Sequence, residues 1–189
     1  MELLDKVYKL VSEHLGSDSH RFIHTLGVME MAEYLAKKYN YDVEKAKIAA
    51  LMHDYSKYDP ISDAKMYLTK EEQDDCSTYP FLYHAYLSAE AYKRLIGDDN
   101  EIYLAIKNHV FGRPNMSLLE KIIMISDYTE KNREYESCIE CRKILLDGDL
   151  DMAIYKSTFD TIEYNNKKNK APHPRQLEVL KEYSERIKK

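Results

Sequence analysis

Apolar residues recur along this chain at three- and four-residue spacing, the period that lines side chains along one face of an α-helix. Leu3, Leu4, Val7, Leu10 and Val11 make the first stripe, which ends at Gly16, a residue suited to a left-handed helix terminus. Ser17, Asp18 and Ser19 offer N-caps for a second, longer helix reaching about Tyr39, with His24, Val28, Met31 and Leu35 facing inward. Asp42 caps a third helix, predicted over about residues 43–56, whose stripe runs through Val43, Ala46, Ala49, Ala50 and His53. Asp59-Pro60 breaks the pattern, and residues 60–80 read as one or two short helices and a loop ending at Tyr79-Pro80. The next stripes are Phe81, His84, Ala85, Ser88, Ala91, Tyr92 and Leu95, then Ile102, Ala105, Ile106 and His109. After the Gly112-Arg113-Pro114 turn come Leu118, Leu119, Ile122, Ile123, Ser126 and Asp127. A polar stretch over 129–142 and a turn at Gly148 lead to an amphipathic helix over residues 150–164, then a Lys/Asn linker over 165–170. Pro174 suits the first turn of a last helix, docked through Leu177, Leu180, Tyr183 and Ile187.

Composition sharpens this to an all-α expectation, because only five Gly and five Pro punctuate 189 residues rich in helix formers. That length suits one domain. With 28 basic and 33 acidic residues the formal charge is −5 and both signs are interspersed, so no basic footprint for a nucleic acid polymer exists. No apolar run of membrane-spanning length and no export leader are present, and Cys76, Cys138 and Cys141 make no disulfide framework. A cytoplasmic protein without membrane contact is expected.

The unusual feature is what the stripes carry. Five successive helices point metal-competent groups inward: His24, His53 with the adjacent Asp54, His84, His109 and Asp127. Burying the Asp54 carboxylate costs several kcal/mol unless a cation or donors meet it, and a metal ion or Lys57 would serve. Convergence of the six groups is expected. They exceed what one tetrahedral zinc takes, and their mixed nitrogen and oxygen donors suit iron, manganese or a similar ion; two ions bridged by Asp54 would use all of them. The competing reading is a tyrosine-rich core with separately satisfied histidines. Outside the set, His14 reads as a dipole-complementing residue, His20 and His173 as surface residues, and the Cys138/Cys141 pair as two small side chains on a helix.

The same residues carry a resemblance. The order His, His-Asp, His, His, Asp on helices resembles the HD-domain metal-dependent phosphohydrolases. The segments Arg21-Phe22-Ile23-His24-Thr25-Leu26-Gly27-Val28, Leu51-Met52-His53-Asp54-Tyr55-Ser56-Lys57 and Ile125-Ser126-Asp127-Tyr128-Thr129-Glu130-Lys131-Asn132-Arg133, with His173-Pro174, are similar to the bacterial YqeK branch. That resemblance implies a single HD-domain bundle over residues 1–189, with metal-site helices over about 19–130 and C-terminal helices over about 149–188 packed on it. It implies a symmetrical diadenosine tetraphosphate hydrolase that uses iron and releases two ADP. Carried over, His24, His53, Asp54 and Asp127 would hold one ion, and His84 and His109, with Asp54 bridging, the second. Asp54 and Lys57 are the expected catalytic residues; Lys57, Arg133 and Arg21 would touch phosphate, and Gly112 would border the nucleotide. Tyr55, Tyr128 and Phe111 are candidates to stack a purine. The chain departs from the branch at Ala85-Tyr86-Leu87-Ser88 after His84 and at Val110-Phe111 after His109. A small dinucleoside polyphosphate or nucleotide is the expected partner, with a homodimer possible. A (deoxy)nucleotide or guanosine-alarmone hydrolase and a non-catalytic nucleotide sensor are the alternatives.

Overall fold

The computed structural model describes residues 2–188, and among them it is built of α-helices, one short 3-10 turn and no strand. Side-chain caps set most helix starts. Ser19 accepts from the Phe22 N–H to open α2 (His20–Lys38), and Asp42 accepts from Lys45 to open α3 (Val43–Met52). α1 (Leu3–Leu15) precedes them and stops at Gly16, whose φ is +82°. Between α2 and α3, Asn40 at φ +52° lets the Tyr41 N–H reach the Ala36 carbonyl at 2.8 Å, so the two helices pack as a close pair.

Residues 60–80 are more helical than their polarity suggests. A 3-10 turn over Ile61–Asp63 leads into α4 (Ala64–Tyr67), and a Thr69/Glu72 capping box opens α5 (Lys70–Thr78). α6 (Leu82–Leu95), α7 (Asn100–Asn108), capped by Asp99, and α8 (Leu118–Thr129), opened by a Ser117/Glu120 capping box, follow. The stretch read as polar from 129 to 142 contains the start of α9 (Glu136–Asp147), and α10 (Leu150–Lys167) runs into the expected linker. α11 (Pro174–Arg186) closes the chain.

One core cluster runs from Val7 to Tyr183 and includes Leu35, Leu51, Ile106, Ile123, Leu145 and Ile154. A second, under α4 to α6, holds Leu68, Cys76, Leu82, Tyr86 and Phe111. Among the described residues, no helix is long and apolar enough to cross a membrane. Four stripes differ from expectation. Leu3, at the start of the first, is exposed. α3 ends at Met52, because from Tyr55 onward the backbone tightens into i→i−3 bonds, Tyr55 to Met52 and Lys57 to Asp54. Phe81 and Leu95, at the two ends of α6, are exposed. Leu177 is 49% exposed, since α11 is turned so that Gln176, Val179 and Tyr183 face inward.

Candidate metal centre

The site forms where helices end. His53 is the C-cap of α3 and His109 the C-cap of α7, positions at which terminal carbonyls lack intrahelical partners. Each ring uses that deficit: His53 Nδ1–H donates to the Ala50 carbonyl at 2.6 Å and His109 Nδ1–H to the Ile106 carbonyl at 2.7 Å. A carbonyl can only accept, so both Nε2 atoms are left bare and face the same pocket, with the rings 5.0 Å apart.

His24, on α2, presents Nε2 3.0 Å from Asp127 Oδ1 of α8, and its Nδ1–H donates to Glu130 at 3.1 Å. His84, on α6, lies with Nε2 3.0 Å from Asp54 Oδ1 and 3.2 Å from His109 Nε2. Asp54 stands between the two groups. Its Oδ2 faces His53 (3.4 Å) and His24 (3.8 Å), while its Oδ1 faces His84 (3.0 Å) and His109 (3.9 Å). The structure therefore brings all six expected ligand residues together. Donor atoms of His24, His53 and Asp127 lie within 4.8 Å of one another, as do those of His53, Asp54 and His109.

The electrostatics suit cations. Burial opposes ionising Asp54, yet His53 and His84 hold its carboxyl well below the usual range; burial likewise opposes Asp127, and Arg133 overrides it. Burial pushes His109 down to about 3, helped by His53 and His84, and lowers His84 too, so both are neutral near pH 7. For His24 burial works downward, but Asp127 and Glu130 outweigh it and raise the imidazole above its ordinary value. Three buried atoms, His24 Nε2, His53 Nε2 and Asp54 Oδ1, have no hydrogen-bond partner, an uncommon condition in a folded interior. Cations on the two sides of Asp54 would satisfy them, and the imidazole and carboxylate donors fit divalent ions.

Cations already border the carboxylates. Arg21 reaches Asp54 Oδ2 at 2.6 Å, Arg133 reaches Asp127 Oδ1 at 2.7 Å, and Lys57 lies 3.5 Å from Asp54 Oδ1 and 3.3 Å from His84. Arg21, Arg133 and His24 also line a cleft of about 480 Å³, with exposed His20 at its edge and Tyr58 (69% exposed) and Tyr135 (72%) on its rim. Gly112 is buried at φ +65°, its N–H donates to the Asn108 carbonyl, and a Cβ there would meet the Met116 and Met124 sulfurs at 3.0 Å. It serves the turn. Tyr55 stacks on His14, which also pairs with Asp59, and Phe111 packs against His173 and Tyr79, so those two rings are committed internally. His173 is buried rather than superficial, as the N-cap of α11 bonded to Asp75.

Two residues escaped the sequence reading. Glu130 orients His24 and is held by the Asn132 N–H and amide at 2.7 and 2.9 Å. Its signal was an acid at a helix C-terminus, where the dipole disfavours negative charge. Gly27 was the other signal: an added Cβ would stand 2.2 Å from Glu130 Oε2, so only glycine admits that carboxylate against α2.

Comparison with known proteins agrees with this geometry. The HD domain family model matches residues 21–132. The chain is 40% identical over 158 residues to the symmetrical bis(5'-nucleosyl)-tetraphosphatase of Bacillus subtilis strain 168, covering 82% of this chain and 84% of that one. It is 40% identical over 172 residues to the protein of the same name from Halalkalibacterium halodurans, covering 89% and 90%. A solved structure from Clostridium acetobutylicum, described as a predicted HD superfamily hydrolase involved in NAD metabolism, superposes with a TM-score of 0.87 at 38% identity, over 96% of this chain and 97% of that one.

Proposed function

The chain belongs to the HD-domain family, among the relatives of the symmetrical bis(5'-nucleosyl)-tetraphosphatases, and from that membership we propose that it hydrolyses diadenosine tetraphosphate to two ADP. The observation that carries the proposal is Asp54, whose two oxygens are divided between two pairs of imidazoles, the arrangement a bridging carboxylate needs. His24, His53, Asp54 and Asp127 would hold one divalent ion, and His84, His109 and the second Asp54 oxygen the other. Iron is the proposed metal, with manganese the alternative. When bound, the ions supply Lewis acidity toward phosphoryl oxygens and lower the pKa of water toward neutrality.

The chain's own residues do the rest. Arg21, Lys57 and Arg133 would grip the phosphates at the cleft, and positioning with charge neutralisation is most of what phosphoryl transfer requires. One water adds across the central anhydride: its oxygen bonds to one of the two middle phosphorus atoms, the bond from that phosphorus to the bridging oxygen breaks, and both halves leave as ADP. Tyr58 and Tyr135 on the rim offer apolar faces to a purine.

The test is an anaerobic purification with metal counting, then parallel assays of diadenosine tetraphosphate, dGTP, GDP and ppGpp, with His53→Ala as the control. Two ADP per tetraphosphate and no product from the control are expected. ATP with AMP, or turnover of another substrate alone, refutes the assignment, and tight nucleotide binding without product makes the protein a sensor.

A further inference from the structure

The His173-Pro174 tail lies far along the chain from the candidate centre, yet it is tied to two of the helices that carry it. Arg175, at the start of α11, donates to the Tyr86 hydroxyl at 2.6 Å and to Asn108 Oδ1 at 3.1 Å. Tyr86 is two residues past His84, and Asn108 directly precedes His109. Both anchors are themselves fixed: the Tyr86 hydroxyl donates to Asp75 at 2.8 Å, and Asn108 Nδ2 donates at 2.9 Å to the buried Glu120. His173 closes the arrangement, 2.9 Å from Asp75 and stacked on Phe111, two residues past His109. These side chains reach the helices bearing His84 and His109, while α2 and α3, which bear His24 and His53, take no part.

We propose that Arg175 is a positioning residue for the His84/His109 half of the centre, holding α6 and α7 in register so that the second ion has a formed site. The proposal rests on the two-ion reading above. An arginine is suited to it, since one planar fork reaches two acceptors on different helices at once. Partners that orient metal ligands typically change affinity by about 10–100-fold when removed.

The test compares the full-length chain with Arg175→Met and Val179→Ala, the latter a buried apolar contact of the same helix with no polar tie. Mn²⁺ binding is titrated without substrate, counting equivalents and affinities, and thermal stability is measured alongside. The expected result is two equivalents for the parent chain, a second equivalent weakened at least about 10-fold in Arg175→Met with the first retained, and both affinities kept in Val179→Ala whatever its loss of stability. Parental affinities in Arg175→Met, or equal weakening in both variants, overturns the assignment. A parent chain that takes up one equivalent refutes the two-ion reading itself, and this inference with it.

Discussion

Replacing Gly27 with alanine sets two effects of opposite sign against each other. Gly27 lies inside α2, where alanine is favoured by about 1 kcal/mol through backbone entropy alone. Against this, the new methyl would stand 2.2 Å from Glu130 Oε2 and 3.0 Å from both Glu130 Cδ and Asn132 Nδ2. The carboxylate must retreat by more than about 1 Å to reach a normal separation of roughly 3.5 Å. A surface glutamate would swing aside at little cost. Glu130 is 1% exposed and bound to His24 and to Asn132 twice, so its movement breaks bonds to a buried charge, worth about 1.5–3 kcal/mol each before partial re-formation. Gly27→Ala should therefore destabilise by about 1–3 kcal/mol in urea unfolding of the metal-free chain, and should weaken metal binding through His24. In a Glu130→Ala background only the amide of exposed Asn132 remains close, free to swing aside, and the same substitution should stabilise by about 0.5–1 kcal/mol. That reversal of sign in a double-mutant cycle is the decisive reading. If Gly27→Ala stabilises the parent chain, the close approach of Glu130 is not what the glycine serves.

Adding Mn²⁺ or Fe²⁺ to chelator-treated protein should raise its stability by about 2.7 kcal/mol per bound ion at one hundred times Kd; a Tm indifferent to the metal would refute the centre. Arg133→Ala should raise KM for diadenosine tetraphosphate and lower kcat/KM by about 10²-fold, while Lys57→Ala should act mainly on kcat, both read from steady-state kinetics. Burial works against ionising Asp75, but bonds from His173 and Tyr86 prevail and lower its carboxyl. A lowered folded-state pKa means stability present above the unfolded carboxylate value, near about 4, and lost as pH falls through the folded value. Asp75→Asn should flatten that acid limb in urea titrations between about pH 2.5 and 5.

Much of the fold and site was legible because burial and periodicity report the same thing. His24, His84 and Asp127 sit on stripes whose central apolar members, such as Val28, Ala85 and Ile123, are buried, so their inward direction could be read without a structure. Helix ends were less readable. His53 stands one step past α3, where a hydrogen bond to a free carbonyl, not the stripe, aims its ring. The one or two short helices expected over 60–80 are present as α4 and α5, whereas α9 escaped because polar residues hide a helix held by contacts made elsewhere in the chain. His173 looked superficial for a related reason: its partners Asp75 and Phe111 are 98 and 62 positions away, and no local pattern encodes them. Leu177 failed as a contact because α11 is oriented by its capping box and by Arg175, which outweigh one leucine.

Two helices, α3 and α7, finish on the same pocket, each contributing roughly half a negative charge from its aligned peptide groups. A nucleotide arriving alone would meet that field together with two ionised carboxylates whose arginines are already engaged. A bound cation would offset that field and compete with Arg21 and Arg133 for Asp54 and Asp127, leaving both guanidiniums available to phosphate. The expected order is then ion first and nucleotide second, with chelated protein binding nucleotide only weakly.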